Sequence, residues 1–282
     1  MVIEVGFMCW SKVLGSYLYT RFPATRFIPL AVFLAAAGLA ASPPAHISHW
    51  LLAATLALTL TLQFRLWDDI ADRDHDRETH PTRVLCHTRN IKPFINAAAA
   101  LFVLNGALLA WHHAHSPKPI AYLVLCTCLF AWYRLRPIAS QAGLLNSQLV
   151  LLKYPVIAWL IGVPATDTDL ALLLSCLFSV YLIFIIFELL DDHSLRQLTG
   201  ATFSLAASIG LLVFVWAFIA VWNRPYTGPL FWVVWSIIII ATLAAGLSAF
   251  SKIKRQPATG AGHSFFIVGL LAYLAVAIEN SL

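Results

Sequence analysis

What most restricts this chain is where charge is missing. No Lys, Arg, Asp or Glu occurs in residues 27–64, 93–117, 119–133, 170–187, 197–223, 225–251 or 256–278. An α-helix needs roughly 20 apolar residues to cross the hydrocarbon core of a bilayer, so each window is of the right order to hold a span. The first is long enough for two, and Ser42, Pro43 and Pro44 interrupt it where a tight connection is required. A further span is expected across residues 143–163, whose only charge is Lys153, which brings the total to nine. The apolar runs are continuous and do not alternate residue by residue, which selects helices over the strands of a lipid-facing barrel. The expected architecture is all-α, a polytopic membrane protein of nine transmembrane helices forming one domain over residues 1–282.

Composition excludes the alternatives. Charged residues make up 11% of the chain and hydrophobic ones 60%, with a mean hydropathy of +0.80, whereas soluble domains carry about a quarter charged residues. The 13 Gly and 14 Pro are too few for collagen-like or low-complexity chains. Basic residues collect in cytoplasmic loops, and 16 of the 18 Lys and Arg fall on one side of the span pattern or, for Lys153, within a span. Lys118 and Arg224 alone are left to the opposite loops. The N-terminus is thus expected in the cytoplasm and the C-terminus outside, in an integral multi-pass protein of a bacterial cytoplasmic membrane. The net charge of +5 then describes an inner face beside anionic lipid, and no basic motif points to nucleic acid. Residues 27–45 resemble a secretory signal only superficially, because the 26 residues before them are too long and too aromatic. The five cysteines are read as unpaired, three within spans and two on the reducing side.

Against this background the acids are unevenly placed. Six lie in eleven residues, Asp68, Asp69, Asp72, Asp74, Asp76 and Glu78, just after the second expected span. Glu188, Asp191 and Asp192 end the sixth, so nine of the thirteen acids gather on the cytoplasmic side. On a helix Asp69, Asp72 and Asp76 share one face, as do Glu188, Asp191 and Asp192. Like charges at this spacing repel unless cations neutralise them. Mg²⁺ takes one or two carboxylates together with phosphate oxygens, so two such faces suit a diphosphate held through bridging metals. The plainer reading is a solvated loop whose acids pair with Arg73 and Arg77.

These segments resemble the signatures of the UbiA superfamily of intramembrane prenyltransferases. Asp68-Asp69-Ile-Ala-Asp72-Arg-Asp-His-Asp76 matches NDxxDxxxD with Asp in place of the leading Asn. Arg77-Glu-Thr-His-Pro81-Thr-Arg83 looks like the basic, Pro-containing stretch that follows it. Glu188-Leu-Leu-Asp191-Asp192-His-Ser-Leu195 is a degenerate form of the second signature, DxxDxxxD. The resemblance covers nearly the whole chain and implies a bundle around a central cavity. It also implies transfer of an isoprenoid chain from a prenyl diphosphate to an acceptor that the sequence does not identify, with Mg²⁺ as cofactor and membrane lipid as surroundings. Asp68, Asp69, Asp72, Asp76, Glu188, Asp191 and Asp192 are the metal-site candidates. Asp69, Asp72, Asp76, Asp191 and Lys153 are the catalytic candidates, and Arg83, Arg134, Arg136 and Lys153 the diphosphate clamps.

Lys153 is the most telling of these, since a charge inside a span marks a cavity or a partner unless it snorkels to the interface. Asn146 and Arg65 are expected to support the site, Arg65 by pairing with Asp68 or Asp69 one turn on. The histidines of Trp111-His112-His113-Ala-His115 lack a fixed scaffold for zinc and read as a polar loop. Two further readings stay open: a membrane terpene cyclase of the same fold, and a transporter or accessory subunit.

Overall fold

The computed structural model describes residues 10–40, 44, 46–135, 149–162 and seven helical positions between 173 and 184. Every element of regular structure among them is a helix: α1 (Trp10–Arg21), α2 (Ala24–Leu39), α3 (Ile47–Ala71), α4 (Arg73–Thr79), α5 (Val84–His87), α6 (Lys92–His112), α7 (Lys118–Leu135) and α8 (Lys153–Ile161). At 25 and 21 residues, α3 and α6 are long and apolar enough to cross a membrane. Together α1 and α2 make a third candidate, broken by a 67° bend at Phe22 and Pro23, where Pro cannot continue a helix from its N-terminal side. The expected spans beyond residue 184 lie outside the described residues.

The expected break around Pro44 falls between the end of α2 and the start of α3. The second expected span runs on past its charge-free window to Ala71, so Asp68 and Asp69 occupy the last turn of α3. Asp72 caps that helix, its amide bonding the Asp68 carbonyl at 2.8 Å, and the Asp76 amide returns to the Asp72 carbonyl at 2.7 Å. The acidic run is therefore helical through most of its length, divided at Asp72 between α3 and α4. Arg73 stabilises the return of the chain, donating to the carbonyls of Leu85 at 3.0 Å and Thr88 at 2.6 Å.

Packing centres on α3, which lies against α2, α6 and α8. Leu56, Ala57, Leu60 and Phe64 of α3 are fully buried with Phe33, Leu34 and Leu39 of α2 and Ile157, Ala158 and Leu160 of α8. A second cluster, Tyr17, Leu66, Leu85, Phe94 and Ala98, seats α1 on α3 and α6. Ile47, Val103 and Ile120 are exposed apolar side chains on outward faces, as helices solvated by lipid require. Polar side chains also join the helices. Gln63 of α3 accepts from Asn105 of α6 at 2.7 Å and from the Tyr122 hydroxyl of α7 at 2.8 Å, while Thr59 donates to Asn105 at 2.6 Å. Away from water such groups keep their hydrogen bonds only by meeting one another.

Backbones approach closely between α2 and the end of α8. A β-carbon on Gly38 would collide with the Ala158 carbonyl oxygen, and one on Gly162 would come within 2.5 Å of the Gly38 carbonyl oxygen. Lys118 closes this end, donating to the Gly162 carbonyl with its ammonium 5.7 Å from the centre of the Trp159 ring. It thus caps the C-terminus of α8, where the helix dipole favours a cation. Nearby, His49 and His112 stand 5.6 Å apart by ring centroid and His112 and His113 4.5 Å. Among the described residues no group of three His, Cys, Asp or Glu is placed to hold a metal, and Cys86, Cys126 and Cys128 form no disulfide.

Two outcomes follow. Gly38→Ala should destabilise by about 1–3 kcal/mol, because the colliding atom is backbone and cannot swing aside; thermal unfolding in detergent measures this. His113 is buried at the C-terminal end of α6. Burial, then the charges of Lys118 and His112, lowers its imidazole to about 3 against a small opposing contribution from the Leu160 backbone. The unfolded chain therefore binds the proton first, and stability should fall as pH drops below about 6.5. The melting temperature should decline less between pH 7.5 and pH 5 in His113→Phe than in the parent.

Candidate active site

The acids of α3 and α4 face cations supplied by helices remote in sequence. Asp69 is the most heavily engaged. Arg21, the last residue of α1, donates to it from Nε at 2.8 Å and from Nη2 at 2.5 Å. The Tyr17 hydroxyl, one helical turn earlier, donates at 2.8 Å, and Arg65 approaches from its own helix at 3.6 Å. Asp69 is 5% exposed, a degree of burial that a carboxylate sustains only when paired and hydrogen bonded.

Asp68 faces the other way. Its Oδ2 meets the Lys153 ammonium at the start of α8, and its Oδ1 accepts from the Tyr133 hydroxyl of α7. Lys153 is 2% exposed, so the intramembrane lysine is held by a partner and does not snorkel. Asp76 is buried and paired with Arg83, which returns to α4 through the Pro81 turn. Asp74 and Arg77 make an exposed pair at 2.9 Å on α4. Asp72 is partly exposed at the junction of α3 and α4.

Of the expected diphosphate clamps, Lys153 and Arg83 stand beside acids of the run. Arg134 is exposed, with its guanidinium 5.2 Å from the centre of the Phe130 ring. Arg136, Asn146, Glu188, Asp191 and Asp192 lie outside the described residues. Arg65 pairs with Asp69 one turn on, as its spacing implied. Sequence reasoning missed Tyr17, Arg21 and Tyr133 as parts of this site. In the sequence Arg21 is one of the basic residues on the expected inner side. Its contact spans 48 residues, and no spacing rule reaches that far.

No protein-family model matches the chain, and no curated protein matches it. Its fold is shared with a solved structure. That structure is reported under the description of structural and mechanistic insights into the biosynthesis of digeranylgeranylglyceryl phosphate synthase in membranes. The likeness covers 96% of this chain and 100% of that one, with a TM-score of 0.63 and 15% sequence identity. At that identity it establishes the fold, an all-helical membrane architecture, and leaves the chemistry to the residues.

Those residues are all hard oxygen donors, which suits Mg²⁺ better than a softer transition metal. Asp68 and Asp69 already hold ammonium and guanidinium groups, so the described acids alone do not make a three-ligand set. A set completed by acids from another segment is consistent with this donor chemistry.

Removing a buried cation exposes how much each pairing contributes. Arg21→Met should cost about 1–3 kcal/mol, less than a wholly unpaired charge because Tyr17 and Arg65 remain, and Tyr17→Phe about 1 kcal/mol. Denaturation in mild detergent should rank them in that order, and the reverse order would reassign the main anchor of Asp69.

Proposed function

We propose that this protein is a Mg²⁺-dependent intramembrane prenyltransferase that moves an isoprenoid chain from a prenyl diphosphate to a small acceptor. Its active site lies at the cytoplasmic end of a nine-helix bundle. The observation that carries this reading is the acidic end of α3 and α4, gathered with buried and half-buried cations, in a fold shared with a solved structure named for a prenyl-transferring synthase. The position of the acids argues against a transporter, whose intramembrane carboxylates lie near the bilayer midplane.

In this reading Asp69, Asp72 and Asp76 hold Mg²⁺ together with Glu188, Asp191 and Asp192. When bound, the ion supplies positive charge that absorbs the negative charge developing on the departing diphosphate. The chain's cations extend the same field. Arg83 beside Asp76 and Lys153 beside Asp68 are assigned to the diphosphate as charged donors. Arg134 and Arg136 are assigned to the same anion. The low-dielectric surroundings strengthen each of these interactions and keep water from the allylic cation. Aromatic faces near the site favour that cation, and Trp67, the residue before Asp68, stacks on Phe102 with centroids 6.2 Å apart.

The test is incubation of the purified protein with prenyl diphosphates of several lengths. They are supplied alone and with quinone-precursor, sugar-phosphate or glycerol-phosphate acceptors. Prenylated product should form only with an acceptor and with Mg²⁺, and chelation should abolish it reversibly. Asp72→Ala and Asp69→Ala should each lower turnover by about 10²–10³-fold. A cyclic hydrocarbon formed without acceptor would replace transfer by cyclisation, and turnover indifferent to chelation would sink the metal site.

A further inference from the structure

Asp68 differs from the other acids of the run in the burial of the cation it holds. Both are taken by side chains of other helices, Oδ1 by the Tyr133 hydroxyl of α7 and Oδ2 by the Lys153 ammonium of α8. The pair is deep, with Asp68 8% and Lys153 2% exposed. Asp69, whose oxygens are likewise taken by Arg21 and Tyr17 of α1, and Asp76 are as buried as Asp68. Their cations Arg21 and Arg83, however, have side chains 17% and 27% exposed and can turn outward, and Asp72 is partly open at the helix junction. A metal ligand must turn a lone pair toward an ion that comes and goes. An ion that took Asp68 would displace a buried ammonium and leave its charge uncompensated, which costs more than the pair itself yields.

From this geometry we propose that Asp68 is a positioning residue. It is the fixed counter-ion that holds Lys153 in place and aims it, with Tyr133 setting the carboxylate's orientation, and it is not a ligand of the metal. The position of Lys153 as first residue of α8 makes the pair a joint between α3, α7 and α8. The ammonium has three donors, and its ring contact with Tyr154 at 5.3 Å holds it from a further side. The consequence for substrate rests on the prenyltransferase reading. Asp68 would act on the diphosphate only through Lys153, while the joint itself exists whatever the reaction.

The experiment compares Asp68→Asn, Lys153→Met, the double variant and Lys153→Arg in the full-length protein. Each of the first two leaves one buried charge alone and should lower the melting temperature by roughly 5–10 °C. The double variant should lose clearly less than the sum, because neither charge remains. In kinetics, Asp68→Asn and Lys153→Met should both raise KM for prenyl diphosphate about tenfold while the Mg²⁺ concentration for half-maximal rate stays within about twofold, and Lys153→Arg should recover most of the loss. Strictly additive melting effects would overturn the joint. A tenfold higher Mg²⁺ requirement in Asp68→Asn but not in Lys153→Met would overturn the positioning role and make Asp68 a ligand. Tyr133→Phe, which removes one hydrogen bond and no charge, makes the same kinetic comparison if Asp68→Asn does not accumulate. A parent protein without turnover would refute the enzymatic reading alone, since the melting cycle still decides the pair. The Mg²⁺ question would then be read from the melting shift produced by Mg²⁺ with inorganic diphosphate, unchanged in Asp68→Asn if the proposal holds.

Discussion

Everything at the acidic end of this bundle depends on neutralising carboxylates where water is scarce. An ionised group moved into an interior of low dielectric loses several kcal/mol of solvation even after relaxation, and only a well-placed opposite charge returns it. The chain meets that demand with cations from three places: Arg21 from α1 and Lys153 from α8, both far along the sequence, and Arg83 from the turn just after α4. The helices that carry them are fixed around α3 as a result. Apolar packing alone would leave α1 free to settle at several rotations, because its exposed face carries Trp10, Leu18 and Tyr19. The guanidinium and hydroxyl that meet Asp69 select one.

The same logic explains the two polar systems along α3. Gln63 and its partners join α3, α6 and α7 through neutral groups, whereas Asp68 and Asp69 use charge within the following two turns. Neutral hydrogen bonds cost little to bury once paired and suit the apolar middle of a bundle. Charges bring stronger and longer-ranged forces, and in this chain they stand at the end of α3.

Helix type, the position of the long spans and the clustering of acids were legible in the sequence because each is local. A charge-free window is visible as a window, and Asp69, Asp72 and Asp76 share a face because of their spacing alone. Arg65 and Asp69 were legible for the same reason. Partners across the bundle were not. Lys153 announced itself as an unusual intramembrane charge, yet nothing in its neighbourhood named Asp68, since the contact spans 85 residues. Tyr17 and Tyr133 carried no signal at all, being two of eight tyrosines in a chain rich in aromatics. The 67° break between α1 and α2 was not legible, since the first expected span begins only at residue 27, beyond α1 and its junction with α2.

The sequence distances of these contacts also order the protein's assembly. A chain inserted into the membrane from its N-terminus presents α1, α2 and α3 first, and Arg21 can close on Asp69 as soon as residue 69 has emerged. Lys153 follows only after α6 and α7, so Asp68 must wait through two further helices for its cation. During that interval one carboxylate of the neighbouring pair is satisfied and the other is not. The growing bundle thus holds a vacant place for α8, a lysine-sized electrostatic slot at the end of α3 that marks where the late helix belongs.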